Sequence, residues 1–253
     1  MCDERSHGET QVRLGGGVLE LRDVTRAAGR EPVLSRASLV LSRETPSAIV
    51  GLSAYERDML MRLLAGVEKP QSGSIKLDGK DIAQARREKG KVVRIDAQVQ
   101  PKPVKAGKPT GDAGAKVRQA IAKARAERPK LILLDAPSTG LQLEAREQFL
   151  ADFKSLLADT GAVIVLVAGD ADEALGLGGN VVVLHRGEIV QSGPAADVFA
   201  HPANLKAAVA TSFPMLNTLT MQARNGRGVL ADGSSFQPPD ELRLPDDGRC
   251  TVA

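Results

Sequence analysis

The sequence predicts an α/β fold built on a mainly parallel sheet, and three stretches carry that prediction. Leu131 to Asp135 (LILLD) and Ala162 to Ala168 (AVIVLVA) are apolar runs of strand length, the first closed by an aspartate. A strand that is apolar at every position has both faces covered, as in a parallel sheet between helical layers. The third stretch, Ser47 to Gly66 (SAIVGLSAYERDMLMRLLAG), reads as a short strand, a tight turn at Gly51 and a helix from about Tyr55 to Ala65. In that helix Met59, Leu63 and Leu64 share one face. Strands alternating with helices define the α/β class.

Taken in order, residues 1–17 are polar, end in Gly15-Gly16-Gly17 and read as a disordered leader. Val18 to Val24 alternates apolar and charged residues, as a half-buried strand does. Arg36 to Leu41 is its expected partner, across a loop containing Gly29 and Pro32. Ser74 to Leu77 is a short strand followed by a hairpin-like Asp78-Gly79, which completes an antiparallel β subdomain. Val92 to Ile95 is a further strand. Pro101 to Thr110 (PKPVKAGKPT) has no periodicity and reads as a connector. Ala115 to Ala126 has strong helix propensity, and Leu143 to Ala158 is an amphipathic helix. Asp172 to Leu177 is a short helix, and Asn180 to Ser192 forms two strands about Arg186-Gly187. Helices follow at Ala195 to Ala200 and Leu205 to Val209. The main domain is therefore expected over 18–212. The Gly/Pro-rich stretch 213–253, with a strand at Gly228 to Leu230, is expected to open a small β appendage that stops short at GRCTVA.

Composition narrows the function classes. At 253 residues, 42% hydrophobic and 26% charged, the chain is an ordinary globular one. A net charge of +3 argues for no nucleic-acid partner. One Tyr and no Trp leave few platforms for stacking bases. Cys2 and Cys250 lie at opposite ends, so no structural disulfide is expected and a reducing compartment fits. The first residues, polar and acidic, are not expected to act as a secretory signal. The longest apolar run is too short to cross a bilayer, so no direct membrane insertion is expected. The histidines His7, His185 and His201 show no ligand spacing, and no metal site is assigned.

A strand, a turn and a helix in that order also form the frame of a phosphate-binding P-loop. There, backbone N–H groups and a helix N-terminus cradle an anion. The pattern G-x-x-x-x-G-K-[ST] aligns with Gly51, Leu52, Ser53, Ala54, Tyr55, Glu56, Arg57 and Asp58, and only the first glycine is kept.

Leu64 to Ile82 (LAGVEKPQSGSIKLDGKDI), Pro129 to Pro137 (PKLILLDAP) and Arg186 to Phe199 (RGEIVQSGPAADVF) resemble the ATP-binding subunits of ABC transporters. His201 to Asn217, followed by VLADGSS, is similar to the subgroup serving sugar and polyol importers. The resemblance covers about residues 18 to 253 and implies an ABC-type P-loop ATPase fold with ATP and magnesium as ligands. It places the phosphate-gripping lysine on Arg57 and the hydroxyl that binds magnesium on Asp58. The glutamine that senses the γ-phosphate falls on Arg94, and the adenine-stacking aromatic falls near Ala28. The LSGGQ signature falls on residues 111–115 (GDAGA). The second acidic motif keeps Asp135, but its catalytic glutamate is Ala136. The aspartate of the next loop is Gln142 and the switch histidine is Gly169.

These replacements are unfavourable for nucleotide chemistry. Ala54 and Glu56 stand where glycines would let the backbone approach a phosphate. Glu56 and Asp58 would each repel a triphosphate by several kcal/mol at an effective dielectric of roughly 20. The planar fork of Arg57 does not fit the slot of a lysine ammonium. Losing the glutamate base removes a factor of about 10² to 10⁴ in rate. Gly51, Ser53, Arg57, Asp58, Arg94 and Asp135 are therefore read as a vestigial nucleotide site, with no catalytic residue and no tightly bound cofactor. Asp135 is expected to cap local backbone without partners. Arg57, Arg62 and Arg94 are expected to be solvated. Only the 16 residues 95–110 separate Arg94 from Gly111, so the helical subdomain that grips a permease is expected to be reduced.

The resemblance then implies a non-hydrolytic partner or scaffold in an importer. A competent ABC ATPase subunit would be its heterodimer mate, with permease subunits as less direct partners, and the place would be cytoplasmic, peripheral at the inner membrane. Two alternatives stand beside it. One is an ATPase with an unorthodox site of Arg57, Asp135 and Arg94. The other is a regulatory protein or decaying gene product outside transport.

Overall fold

The computed structural model describes residues 18–29, 31–88, 91–96, 119, 122–123, 126–139, 141, 146–147, 149–150, 153, 160–212, 219–237 and 247–252. The expected leader 1–17, the connector 101–110, the signature-equivalent residues 111–115 and Gln142 lie outside them. So does most of the two helices expected over 115–126 and 143–158, whose described positions are helical.

The N-terminal part forms an antiparallel sheet from β1 (Val18–Ala28), β2 (Glu31–Ser42), β4 (Ser72–Leu77) and β5 (Lys80–Asp81), in the order β2-β1-β4-β5. Leu19 lies opposite Leu41 on one side and Leu77 on the other, and Leu21 opposite Leu39 and Ile75. The alternation predicted for Val18 to Val24 thus buries Leu19 and Leu21 on one face, and a register shift after Leu21 buries Val24 as well. Both strands run longer than the sequence suggested, and Pro32 sits within β2 opposite Ala27 instead of in the loop. The loss of one N–H is tolerated there because β2 is an edge strand. The hairpin at Asp78 (φ 51°) and Gly79 (φ 78°) is built from two left-handed residues, as a tight two-residue turn requires. A short helix, α2 (Ile82–Arg87), follows and is capped by Asp81, whose carboxylate accepts from the Ala83 N–H at 2.9 Å.

The central sheet contains β3 (Ser47–Val50), β6 (Val92–Asp96), β7 (Leu131–Asp135), β8 (Val163–Val167), β9 (Asn180–His185) and β10 (Glu188–Pro194). Its order is β10-β9-β3-β8-β7-β6, parallel throughout except for β10, which turns back on β9 at Arg186 and Gly187. Every residue of β7 and β8 is buried, and alternate residues feed two cores. Leu131, Leu133, Val163, Val165 and Val167 face the core shared with the antiparallel sheet and helix α1 (Ala54–Leu64). Ile132, Leu134, Ile164 and Leu166 face the other core. That second core holds Phe149 and Phe153 with α3 (Ala171–Leu177), α4 (Ala195–Ala200) and Ala207 of α5 (Leu205–Thr211). This two-sided burial is what the unbroken apolar runs required. The buried face of α1 is wider than the predicted stripe: Leu60, Met61, Leu63 and Leu64 are buried, while Met59 packs at the margin.

A third sheet, in the order β13-β12-β11-β14, joins β11 (Leu219–Arg224), β12 (Arg227–Val229), β13 (Ser235–Phe236) and β14 (Asp247–Val252), all antiparallel. The β character expected after residue 213 is present there.

Candidate functional site

The loop between β3 and α1 is organised by the chain's own groups. Gly51 has φ 89°, and a Cβ at that position would stand 2.0 Å from the Leu184 carbonyl oxygen. Close packing against β9 alone therefore demands the one glycine kept from the phosphate-loop pattern. Ser53 is the N-cap of α1, and Glu56 completes a capping box. The Glu56 N–H donates to Ser53 Oγ at 3.3 Å, and Glu56 Oε2 accepts from the Ser53 N–H at 2.7 Å. A carboxylate at a helix N-terminus satisfies orphan donors and the helix dipole together. Glu56 thereby supplies, from within the chain, the negative charge that a bound anion would bring to such a loop.

The strand order sets the next contact. With β8 between β3 and β7, α1 leans toward the end of β7, and Arg57 Nε lies 3.6 Å from Asp135 Oδ1. Arg94 comes from β6, beside β7. Its Nη2 donates to Asp58 Oδ1 and to Asp135 Oδ2, both at 3.2 Å. The result is an alternating chain of charges, Asp58–Arg94–Asp135–Arg57. Asp135 and Arg57 are nearly enclosed, with 9% and 12% of their side-chain surface exposed, whereas Asp58 is 53% exposed.

Two expectations are corrected here. Asp135 is not a partnerless backbone cap but is gripped by two arginines, and Arg57 and Arg94 are not merely solvated. The physical reason is burial, since an enclosed charge is stable only when paired. The third arginine, Arg62, stays apart and pairs with Glu68 at 2.6 Å. The signal for this network was in the sequence as opposite charge changes, an acid at 58 and a base at 94. Their proximity depends on the strand order.

On the far side of β7, Ala136 is buried with φ 43°, its N–H bonded to the Val167 carbonyl at 3.0 Å. A Cβ on Gly169 would stand 2.5 Å from Thr139 Oγ1 and 3.2 Å from the Ala136 Cβ. The corner is thus closed to a histidine unless Thr139 moves. Glu173, which the sequence reading did not single out, ties this corner together. Its Oε1 accepts from the Ser138 N–H at 2.6 Å and Ser138 Oγ at 2.7 Å, and its Oε2 from the Gly169 N–H at 2.8 Å. Burial pushes this carboxyl above its ordinary range, against the pull of those three hydrogen bonds. The available clue was an acid set among Ala171, Ala174 and Leu177, the buried positions of α3. Asp170 caps the same helix by accepting from the Glu173 N–H at 2.9 Å, and it also pairs with Arg146.

Ala28, expected on the adenine side, ends β1 opposite Glu31. Among the described residues no group of three or more His, Cys, Asp or Glu could hold a metal ion. No helix among them is long and apolar enough to cross a membrane. The donor set does not fit a magnesium-bound triphosphate: Glu56 takes the loop N–H, and Asp58 and Asp135 both face guanidinium groups.

A six-stranded sheet with β8 between the loop strand and the Asp135 strand, flanked by an antiparallel sheet, is the fold of an ABC-type P-loop ATPase. Solved structures agree: a part of the cbiONQ ABC transporter complex from Clostridium perfringens superposes with TM-score 0.60, at 19% identity over 74% of this chain and 92% of that one. An ATP-binding cassette of an ABC transporter in its ADP conformation gives TM-score 0.60, at 16% identity over 77% and 99%. In sequence, the chain is similar to spermidine/putrescine import ATP-binding proteins. That of Aggregatibacter actinomycetemcomitans is 28% identical over 74% of this chain and 61% of its own length. That of Pseudomonas aeruginosa is 28% identical over 85% and 70%. The putrescine transport ATP-binding protein PotG of Escherichia coli is 26% identical over 73% and 59%. The chain therefore spans about 61% of the length of the first of these relatives. No protein-family model matches the chain. The likeness to ATP-binding subunits of ABC importers stands. Its sugar and polyol refinement has no support in these relatives, which are named for polyamines.

Proposed function

We propose that the chain is an ATP-binding-subunit-like protein of an ABC importer that acts by pairing and does not turn over ATP. The observation that carries this is the corner after β7. Ala136 offers no carboxylate, and any side chain at 169 would have to displace the Thr139 hydroxyl, 2.5 Å from where its Cβ would stand. The relatives' names favour a polyamine-type system over a carbohydrate one. By the same likeness, its partners are a competent ABC ATPase subunit in a heterodimer and membrane permease subunits, at the cytoplasmic face of the membrane.

The test is titration of the purified chain with magnesium–ATP together with a hydrolysis assay, using Arg57→Ala as control. The expected result is no turnover above background and no saturation at millimolar nucleotide. Capture experiments with an intact ABC subunit should yield a heteromeric complex, and self-association alone would remove the pairing idea. The convergence of Arg57 and Arg94 on Asp135 favours one second reading, an ATPase with an unorthodox site. Micromolar binding that is lost in Arg57→Ala would establish it.

A further inference from the structure

We propose that Arg94 is an internal strap, a fixed cation that ties helix α1 to strand β7 and holds the loop 51–58 closed with neither metal nor polyphosphate bound. The inference deepens the non-hydrolytic reading by naming what keeps the same site shut.

One nitrogen serves two elements. Arg94 Nη2 reaches Asp58 on α1 and Asp135 at the end of β7, each at 3.2 Å. Without a cation between them, these two carboxylates would face each other across the end of the sheet and repel. The guanidinium is aimed by the regular ladder of β6 on β7, where Arg94 pairs with Leu133, and not by a loose loop. Asp135 also faces Arg57, whose Nε stands 3.6 Å from its other oxygen as an ion pair without a hydrogen bond, so cations flank the carboxylate on both sides. Among these four residues each acid faces a base, so the charges that could attract an ion are already paired within the chain. An incoming anion would have to break both legs of the strap and also displace Glu56 from the Ser53 N–H. The exposed leg to Asp58 is the weak one and the enclosed leg to Asp135 the strong one, because solvent screens the first.

The test is hydrogen exchange of the full chain, compared among the unaltered protein, Arg94→Ala, Arg94→Lys, Asp58→Ala and the double variant R94A/D58A. Val165→Ala, which trims the core beneath the sheet without touching a charged group of the strap, is the control for general loss of stability. Arg94→Ala should speed exchange in the first turns of α1 by roughly tenfold or more, while β3 and β8 keep their protection. Arg94→Lys should fall between, since an ammonium reaches one carboxylate but does not bridge two. Asp58→Ala should add little once Arg94 is gone, because contacts in one network are not additive. Val165→Ala should speed exchange throughout. A uniform response to Arg94→Ala, like that of the control, would overturn the strap, as would full additivity of the two substitutions. If Arg94→Ala does not fold, the local or uniform pattern in Arg94→Lys decides the same point. Protection of residues 51–58 by magnesium–ATP in the unaltered chain would also overturn the strap, whereas ATP turnover by the unaltered chain would overturn the non-hydrolytic reading, so the two ideas fail separately.

Discussion

The carboxylate of Glu173 binds Ser138 and Gly169 at once, and so joins the loops that leave two neighbouring strands of the parallel sheet. A buried acid stitches this junction together, and the side chains beside it at 136 and 169 are a methyl group and a hydrogen.

Glu173→Ala would leave the Ser138 and Gly169 N–H groups without their acceptor. Buried donors left unsatisfied cost about 1–3 kcal/mol each. We expect a loss of about 3 kcal/mol in denaturant unfolding, with Glu173→Gln losing about half as much. The pH dependence gives a sharper check. The folded carboxyl titrates above its ordinary 4.5, so between that value and its folded one the native chain holds the extra proton. Stability contributed by this group therefore falls as pH rises through that window. Glu173→Gln should flatten that slope, and an unchanged slope would exclude Glu173 as its source.

Asp78 should act in the opposite sense. Burial raises its tendency to hold a proton, but hydrogen bonds from Lys130 at 3.1 Å and Arg43 at 2.6 Å outweigh this and hold the carboxyl below its ordinary 3.8. A depressed acid contributes stability above its unfolded value and loses it as pH falls through the folded one. It fastens the hairpin at Asp78-Gly79 to the strand ends at Arg43 and Lys130. We expect Asp78→Asn to cost about 1–2 kcal/mol at neutral pH and progressively less as the pH falls below 3.8, read from urea midpoints across that range.

The capping box predicts a modest local effect. Ser53→Ala removes the acceptor for the Glu56 N–H and should cost about 1 kcal/mol, or about 2–4 °C in Tm for a domain of this size. Ser53→Asp should recover only part of that loss, because a carboxylate can cap the helix but cannot donate to Glu56 Oε2 as the Ser53 hydroxyl does, and would repel it. If the loop were instead an open anion cradle, phosphate would raise the Tm of the unaltered chain, and the present geometry predicts that it will not.

The parts of the fold that were legible in the sequence are those whose burial is set locally. LILLD and the run from Val163 to Val167 could be read because both of their faces are covered, and Asp78-Gly79 because two left-handed residues in a row mark a hairpin. Pro32 misled because a proline signals a loop unless its strand is at an edge, and edge position is a property of the whole sheet. The site was legible as a list of replaced residues but not as an arrangement. Arg94 is 36 residues from Asp58 and 41 from Asp135, and their meeting depends on β8 lying between β3 and β7. Glu173 was missed for a related reason: a charged residue in a short helix reads as exposed until the donors opposite it are known.

Introducing at 136 and 169 the side chains that the resemblance implies for an ATPase tests whether the corner is merely depleted or closed by its packing. If depleted, Ala136→Glu together with Gly169→His should bring back measurable hydrolysis. The geometry predicts otherwise. A Cβ at 169 already meets Thr139 Oγ1 at 2.5 Å, so the imidazole must push out Thr139 or the Glu173 carboxylate beside it. Overpacking of this kind costs about 1–3 kcal/mol. A glutamate at 136 would place a second carboxylate near Glu173 in a closed space, where like charges disfavour ionisation. Meanwhile Asp58, Arg94 and Asp135 would still pair with one another in place of a nucleotide's phosphates and cation. We therefore expect the A136E/G169H protein to be less stable than its parent by about 2–4 kcal/mol and to show no ATP turnover. Adding Arg94→Gln and Asp58→Ser to that background is the arm that could restore it, and turnover in the two-residue variant alone would refute the closed-site account.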